Sequence, residues 1–109
     1  MKEDTPMPIC MTARYRVRPH FTEACKNTVQ DLVEHVKAKE PGTLFYLAKQ
    51  EILNPRAFQH LILFENEAAL AIHQSSKASE RFVNALYPET VEPVEFMEYN
   101  IIAFKGGNP

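Results

Sequence analysis

Eight prolines, Pro6, Pro8, Pro19, Pro41, Pro55, Pro88, Pro93 and Pro109, decide where regular structure can run in this chain. Each fixes φ and donates no backbone hydrogen bond, so each belongs at the border of an element. Periodic segments fill the gaps between them. Residues 9–18 alternate, with Ile9, Met11, Ala13, Tyr15 and Val17 in one row and Cys10, Thr12, Arg14, Arg16 and Arg18 in the other, which predicts a strand. Thr22 is the expected N-cap of a helix with Glu23 in its first turn. Ala24, Cys25, Val29, Leu32, Val33 and Val36 follow at helical spacing, and Pro41-Gly42 ends the run. Residues 43–51 and 57–64 predict two strands joined by a turn at Asn54-Pro55. Asn66 caps a short helix through about Gln74, and Ala78, Phe82, Val83 and Leu86 mark a second helical stretch. Residues 94–104 predict a last strand. The order β-α-β-β-α-β predicts an α+β domain of ferredoxin-like plan, a four-stranded antiparallel sheet with its helices on one face. The domain is expected over residues 9–104, with mobile ends at 1–8 and 105–109.

Helices on one face leave the other face of the sheet bare, and in a monomer that face should be polar. Here both rows are apolar. Phe58, Ile62 and Phe64 oppose Leu61 and Leu63 on the third strand, and Phe96, Ile102 and Phe104 oppose Met97, Tyr99 and Ile101 on the last. A large bare apolar face needs a partner. The expected one is a second copy, packed sheet to sheet as a homodimer.

Composition removes several functional classes. Twelve Lys and Arg against 14 Asp and Glu give 109 residues a formal charge of −2, which disfavours binding to nucleic acid. The longest apolar runs, Leu44–Ala48 and Ala68–Ile72, are far short of a membrane span. No signal-peptide core is visible at the N-terminus, and the cytoplasm is the expected location. With only Gly42, Gly106 and Gly107, neither a dinucleotide fingerprint, a phosphate loop nor a Gly-x-Ser-x-Gly elbow can be built. Cys10 and Cys25 lie about 26 Å apart along the strand at ~3.3 Å per residue, too far for a disulfide. Cys25 reads as a core residue. The four histidines, His20, His35, His60 and His73, show no short helix or strand spacing of a metal site, and no metal is expected.

Several stretches resemble a known family. Glu40-Pro41-Gly42-Thr43-Leu44-Phe45-Tyr46 is similar to the turn into the second strand of the antibiotic biosynthesis monooxygenases, dimeric α+β barrels. Phe58, the strand ending in Phe64, Asn66-Glu67-Ala68-Ala69 and His73 carry the likeness onward, and the stretch from Phe58 to His73 also resembles the autoinducer-2 degradation isomerase. The likeness spans roughly residues 9–104. It implies a small-molecule cavity between sheet and helices and, in several members, oxygenation of quinols or anthrones with neither metal nor flavin. Two positions depart from the pattern. Ile62 stands where many relatives have a glutamate, and Lys77, Ala78 and Ser79 where many have a second histidine. The axial histidine of the haem-degrading branch would fall near Phe82 or Val83, so haem is not expected.

His73 is the expected catalytic base, at the position of the family's retained histidine. His60, Ile62, Phe64, Leu44, Tyr46 and Tyr15 are the expected lining of the substrate pocket. His60 also reads as a buried histidine satisfied by a neighbour, and Tyr15 and Tyr46 as core residues with tethered hydroxyls. His35 and His20 are expected to face solvent. Arg14, Arg16 and Arg18 are expected to pair with acids such as Glu98 across the sheet. The chemistry implied is a cofactor-independent monooxygenation of a small oxygenated aromatic. An isomerase of the autoinducer-2 type and a non-catalytic ligand-binding dimer are the alternatives.

Overall fold

The computed structural model describes residues 8–106. Residues 1–7 and 107–109, most of the two ends expected to be mobile, lie outside them. Within that range the chain forms β1 (Ile9–Arg16), α1 (Thr22–Lys39), β2 (Thr43–Gln50), β3 (Ala57–Phe64), α2 (Glu67–Ser75), α3 (Lys77–Leu86) and β4 (Glu95–Tyr99). The strands make one antiparallel sheet in the order β2-β3-β1-β4, the ferredoxin-like arrangement.

Register sorts the side chains into two faces. Tyr46, Ile62 and Met11 share one cross-strand row, and Ala48, His60, Ala13 and Phe96 share the next. These rows face the helices. Tyr15, Val17 and Phe58 pack with Cys25, Val29 and Leu86 in one core cluster. Met11, Ile62 and Phe64 pack with Ala69 and Leu70 in a second. Leu32, Val36 and Ala78 join α1 to α3. Burying side chains of this size contributes about 1.5–3 kcal/mol each. The opposite face carries the rows Phe45, Leu63, Cys10, Tyr99 and Leu47, Leu61, Thr12, Met97. On it Phe45, Leu47, Met97 and Tyr99 remain 42% to 49% exposed. The charged end of that face is paired, Arg14 with Glu95 across strands at 3.7 Å and Arg16 with Glu92, just before β4, at 2.7 Å.

Three local expectations are corrected. Thr22 is the first residue of α1 and not its cap. Pro19 opens a 3₁₀ turn over Pro19–Phe21, so the Thr22 N–H already donates to the Pro19 carbonyl, and its hydroxyl donates there as well at 3.0 Å. The last strand ends at Tyr99 and not at residue 104, because its one neighbour runs out: Tyr99 faces Cys10, one residue from the start of β1. Glu98 is not the acid that pairs with the strand arginines, because register sets it opposite Met11 and sets Glu95 opposite Arg14. The two helical stretches expected after Asn66 are α2 and α3, which meet at Ser76. This residue ends α2 and caps α3, where its Oγ accepts from the Ser79 N–H at 3.0 Å.

Candidate functional site

Between the inner face of the sheet and the helices lies a cavity of about 320 Å³. Most of its wall is apolar: Met11 and Ala13 of β1, Ile62 of β3, Leu32 of α1, Phe82, Val83 and Leu86 of α3, and Val94 and Phe96 near β4. Tyr15, Tyr46, His60 and His73 enter the same wall and supply most of its polar groups.

His73 sits in the last turn of α2, and its backbone is held from α3. The His73 carbonyl accepts from the hydroxyls of Ser79 at 2.6 Å and Ser76 at 3.2 Å. Asn66 starts the helix by accepting the Ala69 N–H at 2.9 Å. The His73 ring rests against Phe64 and, edge to face, against Tyr46, with centroids 5.4 and 5.9 Å away. Its Nδ1 lies 2.8 Å from Oε1 of Glu40. Glu40 follows α1, where its N–H closes the helix onto the Val36 carbonyl at 3.0 Å and Pro41 stops further turns. Its side chain is 3% exposed. The second oxygen, Oε2, lies 3.2 Å from Nε2 of His35 but in poor alignment, so it is buried without a hydrogen bond. The carboxylate can only accept here, so the proton of this contact sits on Nδ1. Nε2 points away from Glu40 and has no protein partner among the described residues.

His60 is 1% exposed and held at both nitrogens. Tyr46 Oη lies 2.7 Å from Nδ1 and Tyr15 Oη 2.8 Å from Nε2. Burial, with the nearby His73 as a second cause, pushes the His60 pKa down to about 4, so the ring is neutral near pH 7. Burial likewise raises both phenols well above their usual range, so each keeps its proton. Tyr15 Oη also lies 3.8 Å from Cys25 Sγ, a thiol that burial lifts to about 11.

The structure therefore brings His73, His60, Tyr46, Tyr15 and Ile62 together around one cavity. Two expected lining residues are elsewhere. Leu44 lies at an irregularity of the β2–β3 ladder, between Thr43 and Phe45, and is 40% exposed away from the cavity. Phe64 is wholly buried in the core and supports His73 from behind. His20 faces solvent beside Glu89 as expected. His35 does not, being drawn in toward Glu40. Sequence reasoning missed Glu40 as a site residue. The available signal was its place, since an acid at a helix C-terminus opposes the helix dipole and needs a partner. Among the described residues no group of three His, Cys, Asp or Glu side chains is placed to hold a metal ion, and no helix is long and apolar enough to cross a membrane.

A four-stranded antiparallel sheet with its helices on one face and a histidine-bearing cavity beneath them defines a ferredoxin-like α+β class. Comparison with known proteins narrows it. The antibiotic biosynthesis monooxygenase model matches residues 8–85, and the chain belongs to that family. A candidate antibiotic biosynthesis monooxygenase of Bacteroides thetaiotaomicron superposes with a TM-score of 0.86 at 17% identity, over 93% of this chain and 97% of the other. A conserved protein of Methanosarcina mazei Go1 gives 0.79 at 23% identity, over 92% and 98%. A Caulobacter crescentus CB15 protein, again a candidate monooxygenase of this kind, gives 0.82 at 21% identity, over 91% and 93%. These likenesses establish the fold. No curated protein matches the chain.

Proposed function

We propose that this chain is a cofactor-independent monooxygenase acting on a small, flat, oxygenated aromatic of the quinol or anthrone type. The observation that carries the reading is the Glu40–His73 pair at the wall of an apolar cavity. Such a substrate reacts with dioxygen once it loses a proton. His73 Nε2 takes that proton, and the Glu40 carboxylate faces the positive charge that develops on the ring. For an anthrone, the ring CH₂ becomes C=O. One oxygen atom of O₂ is retained, and the other leaves as water with the two methylene hydrogens. The electrons come from the substrate anion, so this reaction asks for no metal or flavin. The apolar wall keeps water from the anion and orients the ring.

The same reading includes a homodimer. A second copy packed on the rows of Phe45, Leu47, Met97 and Tyr99 removes these side chains from water, and the flanking Arg14–Glu95 and Arg16–Glu92 pairs offer a self-complementary charged rim. Sedimentation of wild type and Leu47→Glu tests this: a wild-type dimer with a monomeric variant is expected, and a wild-type monomer overturns it. Two free cysteines suit a reducing compartment such as the cytoplasm.

Oxygen uptake with a panel of anthrones and quinols, wild type against His73→Ala, tests the chemistry. A loss of tenfold or more, about 1.4 kcal/mol of transition-state stabilisation, is expected. Undiminished uptake in the variant removes His73 from the reaction. Turnover of an enolisable carbonyl compound without oxygen consumption replaces the oxygenase by an isomerase. A ligand that binds and never reacts replaces it by a non-catalytic dimer.

A further inference from the structure

Tyr15, His60 and Tyr46 hold one proton more than they use among themselves. Two phenols and a neutral imidazole carry three polar hydrogens, and the two contacts at 2.8 and 2.7 Å consume two. The third must leave the chain at one end. Either Nε2–H donates to Tyr15, whose hydroxyl turns to Cys25 Sγ at 3.8 Å, or Nδ1–H donates to Tyr46, whose hydroxyl turns away from His60. A neutral thiol is a poor acceptor, and 3.8 Å is near the limit for sulfur. Among the described residues Tyr46 Oη has no protein acceptor besides His60, and Tyr46 lines the cavity.

We infer that Tyr46 Oη is a switched hydrogen-bond donor to a ligand oxygen, turned toward the cavity when His60 changes tautomer. In the free protein the Nε2–H tautomer keeps Tyr46 bonded to His60 Nδ1 and sends the spare proton to the weak Tyr15–Cys25 contact. A ligand oxygen at Tyr46 is a better acceptor, so the ring moves its proton from Nε2 to Nδ1, and all three contacts are strong. The Tyr46 and His73 rings lie edge to face with centroids 5.9 Å apart, so one small molecule meets both. The site therefore selects a carbonyl or phenolate oxygen held close to an acidic O–H or C–H. This deepens the proposed function and rests on its assignment of His73 as the proton acceptor.

The test uses 2-hydroxy-1,4-naphthoquinone as the probe and nitrogen-15-labelled histidine in the intact protein. Long-range proton–nitrogen spectra report which nitrogen of each ring is protonated. The expected result is a His60 ring with its proton on Nε2 in the free protein and on Nδ1 with the probe bound. Tyr46→Phe is expected to bind the probe at least tenfold more weakly and to leave the His60 tautomer unchanged on binding. Tyr15→Phe cannot accept from Nε2–H, so its His60 is expected to be protonated at Nδ1 before any probe is added. A bound probe with no tautomer change, equal affinity in Tyr46→Phe, or no binding to wild type at millimolar concentration overturns the inference. His73→Gln separates the two claims. The tautomer switch persists there if Tyr46 acts as inferred, even if turnover shows that His73 is not the base.

Discussion

Glu40→Gln is the sharpest test of the site, because it removes one charge and almost no volume. The carboxylate is nearly buried, and its Oε1 lies 2.8 Å from His73 Nδ1. At ~4 Å and an effective dielectric constant of about 20, a full positive charge on the ring is worth about 4 kcal/mol to this carboxylate. With the proton half transferred, about 2 kcal/mol of that acts in the transition state, or roughly thirtyfold in rate. The amide brings a second loss. Its NH₂ can turn to His73 Nδ1, which then accepts, and the proton moves to Nε2, where it blocks the base. Steady-state oxygen uptake with an anthrone should show kcat/KM down thirtyfold or more, carried by kcat with KM nearly unchanged. Circular dichroism checks that the fold is intact. A folded Glu40→Gln protein with kcat within twofold of wild type would refute the argument that this carboxylate assists proton transfer to His73.

Three further outcomes concern stability. His60 is neutral in the folded protein down to about pH 4 but takes up a proton near pH 6.5 when unfolded, so its stability contribution is complete above pH 6.5 and is lost as pH falls toward 4. Urea unfolding at pH 7 and pH 5 should show a loss of about 2 kcal/mol from this group, absent in His60→Asn. At Gly42 a Cβ would stand 2.7 Å from the Cβ of Ala69, so Gly42→Ala forces the turn before β2 away from α2. It should lower stability by about 1–3 kcal/mol by thermal or denaturant unfolding. Ser76→Ala removes both the cap of α3 and a donor to the His73 carbonyl. It should cost about 1 kcal/mol of stability by the same measurement.

The fold was legible because each element announced itself locally. Alternation marked β1, the run 57–64 marked β3, and the cap at Asn66 and the break at Pro41-Gly42 stand where the structure has them. What failed depended on neighbours. The length of β4 is set by where β1 begins, and no pattern within residues 94–104 contains that information. The site divides in the same way. His60, Tyr15 and Tyr46 fall in the helix-facing rows that strand alternation assigns. Glu40 lies 33 residues from His73, and only the tertiary fold sets the residue that follows α1 beside the last turn of α2. Leu44 would share the inward row of Tyr46 and Ala48 in a regular ladder, but the register shifts between Thr43 and Phe45.

The cavity wall is also divided along the chain. Tyr15, Tyr46, His60, His73 and Ser79 all fall within residues 8–85, the stretch that the family model matches. Leu86, Tyr87, Val94 and Phe96 close the apolar end and all lie after it. The two histidines of the cavity thus lie in the first part of the chain, while the apolar wall draws on both parts, since Met11, Ala13, Leu32, Ile62, Phe82 and Val83 line it as well. Exchanges at Leu86, Val94 or Phe96 would therefore reshape one end of the cavity without touching His60 or His73, so its shape and its polar groups can vary independently at that end.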